Sequence, residues 1–315
     1  MERRKLGRSG LEISPLAFGG NVFGWTADEP TSFKLLDTFV SSGLNFIDTA
    51  DTYSKWVPGN KGGESETIIG KWLKQTGNRE RVVIATKVGN EMGPGKKGLS
   101  KSYIQSAVEA SLKRLQTNYI DLYQSHIDDL ETPMEETLEA YDELIKQRKV
   151  RAIGASNYTA DRFSKALQIS QEHGLPTYQT LQPLYNLYDR ADFEKQLEPV
   201  CVKKNVGVIT YSSLANGFLT GKYRSENDLS KSSRGIGIKQ YLNPRGFRIL
   251  NTLDQVAKQY DSTPSRVALA WLMARPSVTA PIASATTLSQ LNDLIESTKL
   301  KLDQSSLELL NQASA

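Results

Sequence analysis

The property that most restricts this chain is a long alternation of short β-branched or apolar runs with longer amphipathic patterns. Runs at residues 14–19, 44–48, 82–87, 119–126, 150–156, 180–184, 207–211 and 279–283 read as eight strands. Helical patterns at residues 63–74, 102–115, 133–147, 160–172 and 192–203 separate them, and another follows at residues 303–312. Strands that are apolar nearly throughout and always separated by helices imply a parallel sheet covered on its outer face. Eight such units in roughly 250 residues or more is the size of a (β/α)8 TIM barrel. The rival, an open doubly wound sheet, carries a Gly-x-Gly-x-x-Gly turn after an early strand when it binds dinucleotides, and this chain has none there.

Ahead of the repeat, residues 3–6 and 11–13 flank Gly7-Arg-Ser-Gly10 and read as an N-terminal β-hairpin placed to plug the lower end of the barrel. Two segments exceed an ordinary βα loop, residues 54–63 and 216–244. Both follow strands, so both belong to the C-terminal face, where barrels of this kind keep their chemistry. No linker or low-complexity tract interrupts residues 1–315, which read as one domain.

Composition narrows the function. Thirty-nine basic residues are interleaved with thirty-five acidic ones for a net charge of +4, which gives no groove for nucleic acid. No apolar run is long enough to span a bilayer, and Met1-Glu2-Arg3-Arg4-Lys5 leads into no signal-peptide core. A single cysteine, Cys201, forms no intramolecular disulfide and fits a reducing, cytoplasmic setting. Oligomeric state is not readable from the chain.

Polar residues at strand ends point into a barrel's mouth. Lys87 closes an otherwise apolar strand, and a buried ammonium needs a compensating partner. Asp48 ends the preceding strand, about 4.8 Å away in strand spacing. Asp51, in Asp48-Thr-Ala-Asp51, is the expected turn or capping residue. Tyr53 follows on the same loop, and His126 ends the strand after Lys87. The other histidine, His173, sits before Gly174 at a helix C-terminus, where the dipole accounts for it. Four such groups suit acid–base work on a carbonyl. A tyrosine normally titrates near ~10, and a lysine cation beside it lowers that value while an aspartate keeps the lysine charged. A neutral histidine then orients the carbonyl oxygen. No amino acid supplies a hydride, so a nicotinamide cofactor is implied.

The order Asp48, Tyr53, Lys87, His126 resembles the catalytic tetrad of the aldo-keto reductases. Phe46-Ile-Asp48-Thr-Ala-Asp51-Thr-Tyr53 with Gly63-Glu-Ser-Glu66 is similar to that superfamily's signature. So are Asp121-Leu-Tyr-Gln-Ser-His126, Gly154-Ala-Ser-Asn157 and Tyr211-Ser-Ser-Leu-Ala-Asn-Gly217-Phe-Leu-Thr-Gly221-Lys222. The resemblance implies that Tyr53 is the general acid for reduction and the base for oxidation. It makes Lys87 and Asp48 its tuning pair, and gives His126 the substrate oxygen. It implies that Ser156, Asn157 and Gln179 hold the nicotinamide carboxamide, and that Tyr211 stacks on the ring. Ser212, Leu214, Gly217 and Lys222 match the pyrophosphate segment. Pro281-Ile-Ala-Ser-Ala-Thr286-Thr-Leu-Ser-Gln290 resembles the adenosine-end motif, with Ser284, Thr286 and Gln290 as its polar residues. Many relatives carry lysine or arginine there to meet the 2′-phosphate. Here Arg234 on the long loop is the candidate replacement, with NADP the expected cofactor and NAD the alternative. Trp25 and Trp56, on loops after the first two strands, are candidate walls of a pocket for a small carbonyl or alcohol.

Three other readings stay open at this point. A cofactor-sensing module similar to potassium-channel β subunits would bind nicotinamide and turn over little. A Schiff-base aldolase would need a neutral Lys87. A metal-dependent hydrolase has little to build on, because two histidines on separate elements form no ligand cluster.

Overall fold

The computed structural model describes residues 2–232 and 235–315. Strands β1 (Arg4–Lys5) and β2 (Glu12–Ile13) pair antiparallel as the N-terminal hairpin. The next four strands are β3 (Ala17–Gly19), β4 (Phe46–Asp48), β5 (Val83–Val88) and β6 (Ile120–Ser125). They are followed by β7 (Val150–Ser156), β8 (Thr180–Gln182), β9 (Gly207–Thr210) and β10 (Val278–Ala283). From β3 to β10 each strand pairs parallel with the next, and β10 returns to β3, so the sheet closes into a barrel of eight parallel strands. This is the (β/α)8 architecture with an N-terminal hairpin that the alternation implies.

Helices α1 (Glu29–Ser41), α2 (Glu64–Thr76), α3 (Lys101–Leu115), α4 (Met134–Lys146) and α5 (Ala160–His173) cover the first half of the barrel. Helices α6 (Glu198–Lys204), α7 (Pro244–Gln259), α8 (Pro264–Met273), α9 (Leu288–Ser297) and α10 (Gln304–Ser314) complete the sequence. The α5 helix illustrates why these segments form. The Thr159 side chain accepts the Arg162 amide at its start, and left-handed Gly174 closes its end by donating its backbone N–H to the Ser170 carbonyl. Phe163, Ala166, Leu167 and Ser170 fall at helical spacing and are buried. Truncating Phe163 to alanine would cost about 3–5 kcal/mol.

Two cores result. The larger lies between barrel and helices, with Trp72 and Trp271 fully buried among aliphatic side chains. The smaller fills the barrel interior, where Phe46, Val83, Leu122 and Ile209 meet Leu6, Leu11 and Ile13 of the hairpin. The hairpin is therefore a plug. Gly7, at φ +55, passes so close to the Gln179 carbonyl and the Gly207 amide that no side chain fits.

The two long segments both lie at the opposite end. Residues 54–63 form consecutive turns. The later segment is mostly short 3-10 helices, Ala215–Thr220, Glu226–Lys231 and Gly235–Tyr241, packed down through buried Phe218, Tyr223, Ile238 and Tyr241. Among the described residues no helix is long and apolar enough to cross a membrane.

Candidate active site

The strand register brings the polar strand-end residues together. Lys87 Nζ is fully buried and donates to Asp48 Oδ2 at 2.6 Å, to Tyr53 Oη at 2.9 Å and to the Thr49 carbonyl at 2.8 Å. Its three protons are thus all placed, and no snorkelling stem is present. Tyr53 Oη lies 3.4 Å from Asp48 Oδ2. The other carboxylate oxygen of Asp48 takes the side-chain amides of Gln182 at 2.9 Å and Gln124 at 3.3 Å. His126 packs edge-on to the Tyr53 ring at 6.0 Å between centroids.

Electrostatics follow from this burial. Desolvation works against the Lys87 cation, yet Asp48 and Tyr53 together hold it above its ordinary value, so it is charged. That disfavours the Schiff-base reading, which needs a neutral amine. Desolvation also raises the Tyr53 hydroxyl, and the Lys87 charge offsets only part of the effect. The expected lowering of Tyr53 is therefore corrected: in this site burial outweighs the neighbouring cation, and the phenol is protonated at neutral pH. Burial, and secondarily the Lys87 charge, push His126 down to about 3, so it is a neutral imidazole.

Asp48, Tyr53, His126 and Gln182 open onto a cavity of about 1050 Å³ on the C-terminal face of the barrel. Ser156 and Asn157 line it beside His126; Asn157 Nδ2 donates to the His126 carbonyl at 2.8 Å, and Tyr211 Oη donates to Asn157 Oδ1 at 3.0 Å. Ser212, Leu214, Gly217 and Lys222 line the next stretch. Its backbone is left-handed at Ser212, Ala215, Asn216 and Gly217 (φ 51, 47, 56 and 99), a concave conformation of the type that cradles anions. Ser284, Thr286 and Gln290 line the far end. There Ser284 Oγ is 2.7 Å from Asn21 Oδ1, and Gln290 Oε1 accepts from the Thr286 amide at 2.9 Å. Trp25 lines the cavity; Trp56, half exposed, meets it edge-on at 5.5 Å and meets the Tyr53 ring at 6.1 Å. Arg234 lies outside the described residues.

Two further sequence expectations are corrected. Gln179 is not in the cavity. It precedes β8 at the lower end of the barrel, where its carbonyl accepts the Gly207 amide at 2.9 Å. Gln182, three residues on, lies at the upper end of β8 and lines the cavity instead. Asp51 caps nothing: it is 2% exposed and neither carboxylate oxygen has a hydrogen-bond partner. Burial, then the nearby Glu66 carboxylate, push it up to about 8. Gln124 and Gln182 are the site residues that sequence reasoning missed; an amide two residues after Leu122, in the same phase of the strand alternation, was the available signal for Gln124.

A nicotinamide dinucleotide fits this set. The cavity lining includes both Tyr53 and Gln290, together with an aromatic ring, a left-handed turn and a lysine. Among the described residues no group of three or more His, Cys, Asp or Glu is placed to hold a metal ion.

Comparison with known proteins agrees with the geometry. The chain is 36% identical to the uncharacterized oxidoreductase YrpG of Bacillus subtilis (strain 168), covering 99% of this chain and 95% of the relative. It is 32% identical to the aldo-keto reductase YhdN of the same organism, covering 99% and 93%. It is also 32% identical to a probable voltage-gated potassium channel subunit beta of Arabidopsis thaliana, covering 93% and 90%. A sequence model of the Aldo/keto reductase family matches residues 15–315, and the chain belongs to that family.

Proposed function

We propose that this chain reduces aldehydes or ketones to alcohols, and oxidises alcohols in the reverse direction, with NADP as its preferred cofactor and NAD as the alternative. The observation that carries the reading is the Tyr53 hydroxyl: it faces the cavity, is held at 2.9 Å by a buried lysine cation, and keeps its proton at neutral pH. A bound nicotinamide supplies the hydride. Tyr53 delivers the proton to the carbonyl oxygen, and Lys87 stabilises the phenolate left behind. Asp48 keeps Lys87 charged, while neutral His126 donates a hydrogen bond to the same oxygen. Ser156, Asn157 and Gln182 would hold the carboxamide, and Tyr211 would lie on the ring. Ser212, Leu214, Gly217 and Lys222 would take the pyrophosphate, and Ser284, Thr286, Gln290 and Arg234 the adenosine end. Trp25 and Trp56 would flank a small carbonyl substrate. The single cysteine and near-balanced charge support a cytoplasmic setting.

The test is oxidation of NADPH and of NADH with a panel of aldehydes and ketones, for wild type and Tyr53→Phe. Turnover by wild type alone supports the reductase. The potassium-channel relative favours one second reading, a sensor that binds cofactor with little turnover. Fluorescence titration separates them: binding without consumption favours the sensor, and absence of binding removes both.

A further inference from the structure

Beneath the cavity, Gln124 is a polar side chain that the proposed chemistry does not use. It is wholly buried on β6, in register with Lys87 on β5 and above the apolar layer of Ala85, Leu122 and Ala152. Burying an amide there is costly unless it is bonded, and Oε1 of Gln124 has no hydrogen-bond partner. A methionine would fill the same space without that penalty. The one bond the amide does make goes to Asp48 Oδ1, at 3.3 Å.

The surrounding strands are shaped for that reach. Gln124, Gly154 and Thr180 stand in register on β6, β7 and β8. A Cβ on Gly154 would collide with Thr180 Oγ1 and stand 3.1 Å from Gln124 Cγ. The missing side chain on β7 is what lets the amide lie across the barrel.

Gln182 bonds the same oxygen of Asp48, at 2.9 Å, but the two amides differ in setting. Gln182 lines the cavity, where a bound carboxamide competes for it; Gln124 lies below and is not part of the lining. Both donors are neutral, so they orient the carboxylate without cancelling the charge that Lys87 needs.

We propose that Gln124 is a positioning residue for proton transfer: it keeps Asp48 turned toward Lys87 and Tyr53 while Gln182 exchanges between Asp48 and the bound nicotinamide. The inference rests on the reductase reading, and its test separates the two. Wild type, Gln124→Met and Gln124→Glu are compared for NADPH binding by fluorescence, for thermal melting, and for kcat and KM with 4-nitrobenzaldehyde across pH. The methionine variant should bind NADPH within about twofold of wild type and melt no lower, with kcat reduced about tenfold. The glutamate variant should regain kcat at low pH, where its protonated acid donates the same bond. It should lose it as pH rises and two carboxylates face each other. Unchanged kcat in Gln124→Met overturns the proposal. So does a parallel fall of melting temperature, binding and kcat in both variants, which assigns Gln124 to packing. A wild type that binds NADPH without turning it over sinks the reductase reading before either variant is measured, and the positioning role with it.

Discussion

Lys87 Nζ donates to Tyr53 Oη at 2.9 Å from a position wholly out of water, and its charged partner is the equally buried carboxylate of Asp48 at 2.6 Å. Removing one member of such a pair strands the other. Lys87→Met should abolish measurable reduction and also destabilise the fold by about 3–5 kcal/mol, because Asp48 is left as an uncompensated charge. The double variant Lys87→Met with Asp48→Asn should recover most of the melting temperature and none of the activity. Melting curves of the three proteins check this. Equal stability of single and double variants would mean that Asp48 does not depend on Lys87.

The protonation states make a second prediction. His126 stays neutral down to about pH 3, and Tyr53 ionises only above its ordinary range. Neither group titrates near neutrality, so kcat for reduction should be level from about pH 5 to about pH 7. A pH profile measured at saturating cofactor decides it. A limb with a midpoint of about 6.5 would mean that His126 titrates as a free imidazole.

Asp51 contributes through stability. Its folded value, raised to about 8, exceeds the roughly 3.9 of an unfolded aspartate, so the folded chain holds a proton that the unfolded chain releases. The sign follows: this group leaves stability untouched below about pH 4, erodes it as pH rises toward about 8, and then levels off. Asp51→Asn carries no such proton. Its stability relative to wild type should therefore grow by at least ~1 kcal/mol between about pH 4.5 and about pH 8, read by chemical denaturation. A difference independent of pH would show that Asp51 is ionised in the folded chain.

The contrast between Asp48 and Asp51 marks how far the sequence alone reaches. Strand-end position was enough for Asp48, Lys87 and His126, because alternation in a barrel strand fixes which residues reach the mouth. Asp51 sits on the loop that follows Asp48 and is buried within reach of the Glu66 and Arg114 charges, which arrive on α2 and α3; local pattern holds no trace of that neighbourhood. Gln179 precedes one short strand and Gln182 ends it, and only its pairing of Gln182 with Ser156 tells upper from lower end. The α8 helix escaped because seven of its ten residues are buried, leaving no polar face to set a period.

The end of the cavity proposed to take the adenosine gives the last prediction. From Ser284 to Gln290 the lining offers hydroxyls and an amide but no cation. Thr286 is held by Gln290, whose Oε1 accepts from both its amide and its hydroxyl at 2.9 and 3.0 Å. A guanidinium at this position would present paired donors to a ribose 2′-phosphate and nothing comparable to a 2′-hydroxyl. Thr286→Arg should therefore shift the ratio of kcat/KM toward NADPH over NADH by about tenfold, mainly through KM. The gain should shrink as ionic strength rises, because the new contact is an exposed charge pair. Steady-state kinetics with both cofactors at low and high salt measure it. An unchanged ratio at both salts would place the ribose away from Thr286, and the adenosine-end assignment of Ser284, Thr286 and Gln290 would fall while the Tyr53 chemistry stood.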